Sequence, residues 1–206
     1  MEAEKYLQFL SEKIHTVIMA TVDDNNLPVT CVIDIMHADD NSLYFLTAKG
    51  KNFYQRLKNK SYLALSGKTG EDTMHCISVS IRGKVREIGT DMLPVLFKKN
   101  PYMFEIYPTD ESRKALTVFQ VYQGIGEWFD LSKKPIERDS FTFGGAENKA
   151  SGYSVTNNCI GCENCMSVCP QSCIDLIDNK ALIRQNNCLH CGNCAQICPV
   201  GAVIKR

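Results

Sequence analysis

The chain has 206 residues, 44% of them hydrophobic, with 23 basic and 23 acidic side chains, so its formal net charge is zero. That balance gives no basic excess to hold nucleic acid, and no apolar run reaches the roughly 18 residues of a membrane-spanning helix. The polar start Met1-Glu2-Ala3-Glu4-Lys5 has no basic n-region followed by an apolar core, so no signal peptide is expected and a cytoplasmic protein is.

Taken in chain order, Glu2 to His15 suits an amphipathic helix with Tyr6, Phe9, Leu10 and Ile14 near one face. Val17 to Val22, Val29 to Met36 and Leu43 to Thr47 read as strands. The turns Asp23 to Asn26 and Ala38 to Ser42 separate them, which implies two hairpins in a row. Asn52 to Lys58 looks helical, and Tyr62 to Ser66 and Cys76 to Glu87 return to strand. Met92 to Tyr107 carries a helical pattern broken by Pro101. Ala115 to Tyr122 and Glu127 to Leu131 are strand-like, with Gly124-Ile125-Gly126 between them marking a bend or bulge rather than a phosphate loop. Many strands and few helices suggest an α+β chain built on a closed or split antiparallel β-barrel with flanking helices rather than a βαβ sheet. No G-x-G-x-x-G opens a helix and no P-loop is present, so a dinucleotide fold is not indicated.

The small, polar stretch Gly144 to Gly152 lacks periodicity and reads as linker. The expected division is a barrel over 1–145, a linker over 146–157 and a small α+β cysteine-rich unit over 158–206.

Eleven cysteines are many for this length, and nine fall between Cys159 and Cys198. A secreted disulfide scaffold would spread them, so the clustering points to metal. The run from Cys159 to Pro170 repeats from Cys188 to Pro199 at an offset of 29 residues, including Asn158/Asn187 and Asn164/Asn193. Each half reads C-x2-C-x2-C-x3-C-P, the run in which three thiolates cap one [4Fe–4S] cubane and the fourth crosses to the other. The expected ligands are Cys159, Cys162, Cys165 and Cys198 for cluster one, and Cys188, Cys191, Cys194 and Cys169 for cluster two. Zinc takes four ligands per ion and needs no such doubled third-and-fourth pattern. The last 50 or so residues resemble bacterial 2[4Fe–4S] ferredoxins and keep all eight ligands.

The remaining groups have plainer readings. Cys173 matches Ala202 in the repeat and is expected as a small buried residue. Cys31 and Cys76 lie in predicted strands, with a catalytic role held open for Cys76 because His75 precedes it. His190 is read as a loop residue beside a fully ligated cluster; a ligand or tuning role is the alternative. From residue 155 onward three acids face four bases, a side-chain balance of plus one. An internal relay needs no long-range charge steering.

Residues 1 to about 131 resemble the pyridoxamine 5′-phosphate oxidase-like, FMN-binding split barrels. The resemblance rests on Met19-Ala20-Thr21 with Leu27-Pro28-Val29 as a first hairpin. Asn41 to Thr47 follow as a strand, then Lys49-Gly50-Lys51-Asn52, Tyr62 to Leu65, and Ile81-Arg82-Gly83-Lys84-Val85. It implies a flavin at a homodimer interface formed through the barrel. Thr47, Lys49, Lys51 and Asn52 would hold its phosphate at a strand-to-helix junction; solvated loop lysines are the plain alternative for Lys49 and Lys51. Val32, Ile33 and Asp34 would run along the isoalloxazine and ribityl chain. Trp128 either walls a flavin or fills core. Asp34, where a small polar residue is common, and the insert from Met92 to Tyr107 depart from the family pattern on the substrate side. No residues mark a pyridoxamine phosphate pocket, and no catalytic acid or base is named.

The expected function is a flavin- and iron–sulfur-dependent oxidoreductase. It would link a two-electron substrate to a one-electron carrier, with a redox protein or a small-molecule donor or acceptor as partner. A non-catalytic electron-transfer subunit and a flavin/iron–sulfur sensor are the alternatives.

Overall fold

The computed structural model describes residues 2–147 and 151–206; Met1 and linker residues 148–150 lie outside them. The chain opens with α1 (Glu2–Phe9), whose Ala3, Tyr6 and Leu7 are buried at helical spacing together with Leu10 beyond it. The helix expected to reach His15 changes pitch at Leu10–Ile14, a π-helical turn closed by a bond from the His15 N–H to the Leu10 carbonyl.

The strands β1 (Thr16–Val22), β2 (Pro28–Asp34), β3 (His37–Asp39) and β4 (Ser42–Ala48) come next, then α2 (Asn52–Lys60) and β5 (Tyr62–Lys68). β6 (Ile77–Gly89) leads into α3 (Leu93–Lys99), α4 (Met103–Ile106) and α5 (Asp110–Arg113), and β7 (Leu116–Asp130) and β8 (Glu137–Phe143) complete the sheet. Its order is β2-β1-β5-β6-β7-β4-β3 with β8 on β7, and every pairing is antiparallel. This is the expected split barrel with flanking helices.

Alternation builds its interior. Val17, Met19, Leu63, Leu65, Val79 and Ile81 point inward from three neighbouring strands and meet Phe45 and Phe119, whose rings stack 5.7 Å apart. Burying each such side chain contributes about 1.5–3 kcal/mol. A second core, with Met36, Tyr44, Leu96, Phe97, Leu116 and Val118, lies under α3.

Three details differ from the expectation. Ala38 and Asp39, expected in a turn, belong to β3 and pair with β4. The two strands expected around Gly124-Ile125-Gly126 are one continuous strand, β7. Its register shift falls just before, opposite Lys84 and Val85. The glycines are explained by the two phenylalanines of β8: a Cβ on Gly126 would stand 2.2 Å from the Phe141 ring, and one on Gly124 2.7 Å from Phe143. β8 itself was not anticipated, because only Phe141 and Phe143 at its end are apolar.

Beyond β8 the chain forms a smaller body. β9 (Tyr153–Val155), within the stretch expected as linker, pairs with β12 (Val203–Lys205). β10 (Ile174–Ile177) pairs with β11 (Lys180–Ile183). The short helices α6 (Asn164–Ser167) and α7 (Asn193–Ile197) each carry the third cysteine of one repeat.

Candidate functional site

The duplicated sequence is duplicated in backbone. Gly161 (φ 68°) and its repeat equivalent His190 (φ 55°) are both left-handed, as are Glu163 (φ 61°) and Gly192 (φ 86°) at the starts of α6 and α7. These left-handed residues turn each loop back so that its cysteines face one space. Cys159, Cys162, Cys165 and Cys198 line one cavity, and Cys169, Cys188, Cys191 and Cys194 line the other. The two cavities group the cysteines as crossed ligand sets would.

Among the described residues, no three His, Cys, Asp or Glu side chains converge closely enough to hold a single metal ion. Thiols arrayed around a cavity suit a multi-iron cubane; one zinc would draw four ligands to about 2.3 Å. The Ala202 N–H donates to Cys198 Sγ at 3.2 Å, and its repeat equivalent, the Cys173 N–H, to Cys169 Sγ at 3.4 Å. Burial alone would raise the Cys169 and Cys198 thiols, but backbone N–H groups outweigh it and hold both below the usual thiol range. Burial pushes Cys165 and Cys194 up. Cys173 is buried 3.5 Å from Cys169, and burial and that neighbour push its thiol up to about 12. It fills the space that Ala202 fills in the other half.

In the barrel, Thr47 shares its face of β4 with core residues Leu43 and Phe45 and is 2% exposed. Its hydroxyl is the buried side-chain polar atom that lacks a hydrogen-bond partner among the described residues. α2 begins after the single turn at Lys49-Gly50, with Lys51 as its N-cap and no side chain capping its first N–H groups. Lys49, Lys51 and Asn52 are exposed. Arg56, one turn into α2, reaches across to β1 and donates to Thr21 Oγ1 at 2.8 Å. Burial raises the Cys31 thiol, against the positive fields of Arg56 and Lys51, which places both cations beside β2. Thr47, Lys51, Asn52 and Arg56 thus make a donor-rich corner between β4, α2 and β2.

The β2 residues divide. Val32 is 67% exposed, while Ile33 packs on the core. Asp34 accepts from Thr16 Oγ1 at 2.7 Å and from Tyr102 Oη at 2.7 Å. Tyr102 also lies 3.0 Å from His15 Nε2. Burial and the Asp34 carboxylate raise the Tyr102 phenol, so it stays a donor. His15 holds this place with φ 61° and ψ −65°, a strained combination for a side-chain-bearing residue. Asp34 therefore tethers the insert that carries α3 and α4.

The family described as pyridoxamine 5′-phosphate oxidase matches residues 3–123. The chain belongs to the pyridoxamine 5′-phosphate oxidase family. This family member also matches the 4Fe–4S dicluster domain over residues 158–202. Among solved structures it is similar to a NimC/NimA family protein from Clostridium acetobutylicum, at 14% identity and TM-score 0.55 over 69% of this chain and 90% of that one. It is also similar to a general stress protein 26-related protein of the pyridoxinephosphate oxidase family from the same organism, at 17% identity and TM-score 0.53, covering 67% and 94%. A heme binding protein from Mycobacterium smegmatis shares the fold at 12% identity and TM-score 0.54, covering 69% of this chain and 58% of that one. No curated protein matches the chain.

Arg56, Thr21, Tyr102 and His15 were not picked out in the sequence. Arg56 carried one signal, a basic residue just inside the helix that Lys51 opens. Tyr102 and His15 carried none, because they meet Asp34 only through the fold. Trp128 packs on the core through Tyr6 and Phe9 and also lines a cleft toward the cysteine-rich body.

Proposed function

We propose that this family member is a flavin- and iron–sulfur-dependent oxidoreductase, with FMN in the barrel of residues 1–145 and two [4Fe–4S] clusters in residues 158–206, joined by a linker over 146–157. FMN exchanges one or two electrons and each cluster one, so together they would link a two-electron substrate to a one-electron carrier. The orphaned Thr47 hydroxyl carries the reading for the barrel. A buried hydroxyl without a partner costs about 1–3 kcal/mol, and a phosphate oxygen at the uncapped start of α2 would satisfy it. Lys51, the Asn52 side chain and Arg56 would add charge-assisted donors.

Val32 and Asp34 lie on the same strand, β2, and Asp34 begins the Asp34–Tyr102–His15 chain. That chain holds a phenolic proton hydrogen-bonded between a carboxylate and an imidazole, beside the edge where a substrate would approach. The exposed outer face of β1, β2 and β5 carries Ile18, Val32 and Tyr62, which supports a homodimer formed through the barrel. No helix among the described residues is long and apolar enough to cross a membrane, and the net charge is zero. Both are compatible with a cytoplasmic protein that binds neither membrane nor nucleic acid.

Thr47→Val tests the flavin site. Valine fills the same space without the hydroxyl. The flavin-free variant is expected to melt at or above the wild-type temperature, while FMN affinity falls about tenfold by anaerobic titration, about 1.4 kcal/mol. Equal FMN affinity in both proteins would remove Thr47 from the site.

A further inference from the structure

A cleft of about 850 Å³ opens between the barrel and the cysteine-rich body. One wall is aromatic. Trp128 from β7 stands 4.7 Å edge-on from Phe9 and 5.1 Å from Tyr6, both of α1. The opposite wall comes from the cysteine-rich body, through Asn186 and His190. Lys5 and Arg138 supply N–H donors at the rim.

The cleft lies against one of the two cysteine cavities. The bonds that tie the bodies together run from the Ile136 N–H to Gln171 Oε1 at 3.3 Å and from Asn187 Nδ2 to the Ile136 carbonyl at 2.8 Å. Gln171 follows Cys169 by two residues and Asn187 precedes Cys188 directly, so the cavity of Cys169, Cys188, Cys191 and Cys194 abuts the barrel. His190 lines the cleft with its side chain, while its backbone N–H donates to Cys188 Sγ at 3.4 Å. The cleft wall is therefore one residue thick at a cluster-ligating sulfur.

The chemistry of the walls selects the occupant. Three aromatic side chains favour a flat ring system, stacked or edge-on. The rim does not favour a polyanion. Glu127, Glu137 and Asp139 outnumber Lys5 and Arg138, and Arg138 is already paired with Glu127 at 2.9 Å. A neutral ring bearing carbonyl acceptors fits both the wall and the donors. A redox-active ring held there would lie within electron-transfer reach of a cluster carried by Cys188 and its neighbours.

We propose that this cleft is a second binding site, for a planar two-electron carrier with ring carbonyls, of the quinone or isoalloxazine class. The site is separate from the Thr47 corner. Thr47 pairs with Thr117 at one end of β7, and Trp128 lies eleven residues further along that strand, about 35 Å at ~3.3 Å per residue if straight.

Anaerobic equilibrium dialysis of the cluster-loaded protein against menadione and against lumiflavin tests this. Both are flat rings with carbonyls and neither has a phosphate; the protein is first saturated with FMN so that the barrel site is filled and uptake reports on the cleft, and flavin content is measured in the same samples. The expected result is saturable uptake of one of the two probes, one per chain beyond any bound flavin. The probe that binds identifies the ring class. Glu137→Trp, which fills the cleft from the barrel side, and Asn186→Trp, which fills it from the opposite wall, should each weaken uptake at least tenfold without loss of iron. Non-saturable uptake of both probes would overturn the proposal. So would unchanged uptake in both iron-replete variants.

Discussion

Glu87 is half-buried near the end of β6, where three hydroxyl and ammonium groups converge on it. Thr117 Oγ1 donates at 2.7 Å, Lys58 Nζ at 2.9 Å and Tyr54 Oη at 3.2 Å. Thr117 pairs with Thr47, so this carboxylate fixes the strand end that presents the orphaned hydroxyl. Burial would raise the Glu87 carboxyl, but the donated hydrogen bonds outweigh it and hold it below its usual value of 4.5. A carboxyl whose folded pKa is depressed contributes stability above its unfolded pKa and loses it as pH falls through the folded one. Glu87→Gln should therefore cost about 1.5–3 kcal/mol at neutral pH. In urea unfolding series the gap to wild type should hold from pH 8 to 5 and shrink below 4.5. A gap independent of pH would show that Glu87 acts by shape and not by charge. Neither Glu87 nor Thr47's lack of a partner can be read from sequence, because both depend on which strand ends the barrel brings together. The turn from Lys49 to Asn52 was legible as the junction of a strand and a helix, since a basic, amide-bearing turn has a local signature. Their partner Arg56 acquires its place only through Thr21, on a strand 35 residues earlier.

The strands show the same division between local and non-local information. β1, β2 and β5 alternate strongly, β4 is apolar over Leu43 to Leu46, and all four were placed to within a residue or two. β7 was broken in two on paper because glycines usually interrupt a strand; here they admit the rings of Phe141 and Phe143 from β8. β8 was missed because its first residues, Glu137, Arg138 and Asp139, are charged and face the cleft. The strongest consequence at this level concerns β1. Ile18 is 56% exposed and pairs with the exposed Val32 on one side and Ser66 on the other, so the outer face has an apolar stripe on neighbouring strands. Ile18→Lys changes nothing inside the barrel. Sedimentation should show a dimer for wild type and a monomer for the variant, at equal melting temperature of the flavin-free chains to within a few degrees. A variant that remains dimeric would place the interface elsewhere.

At the level of the whole molecule, the cysteine-rich body was the most legible part. Its candidate ligands stand out by their spacing within two short loops, and the duplication suggests the crossed pairing. The two cavities differ in placement, which the repeat could not reveal. The cavity of Cys169, Cys188, Cys191 and Cys194 abuts the barrel through Gln171 and Asn187, while no described residue of the barrel lines the cavity of Cys159, Cys162, Cys165 and Cys198; each cavity has one exposed cysteine, Cys191 and Cys162. On the proposed reading one cluster would lie next to the barrel and the other farther from it, an order suited to carrying electrons between a bound substrate and an external partner. The reading rests on both kinds of redox centre being present in one chain. The direct measurement is flavin, iron and sulfide per chain in protein purified without oxygen, with the visible spectrum before and after dithionite. The account predicts near one FMN and eight irons per chain, with flavin and cluster bands both bleaching. Eight irons with no flavin, even after FMN is supplied, would contradict it and leave the barrel a docking body for the cluster unit.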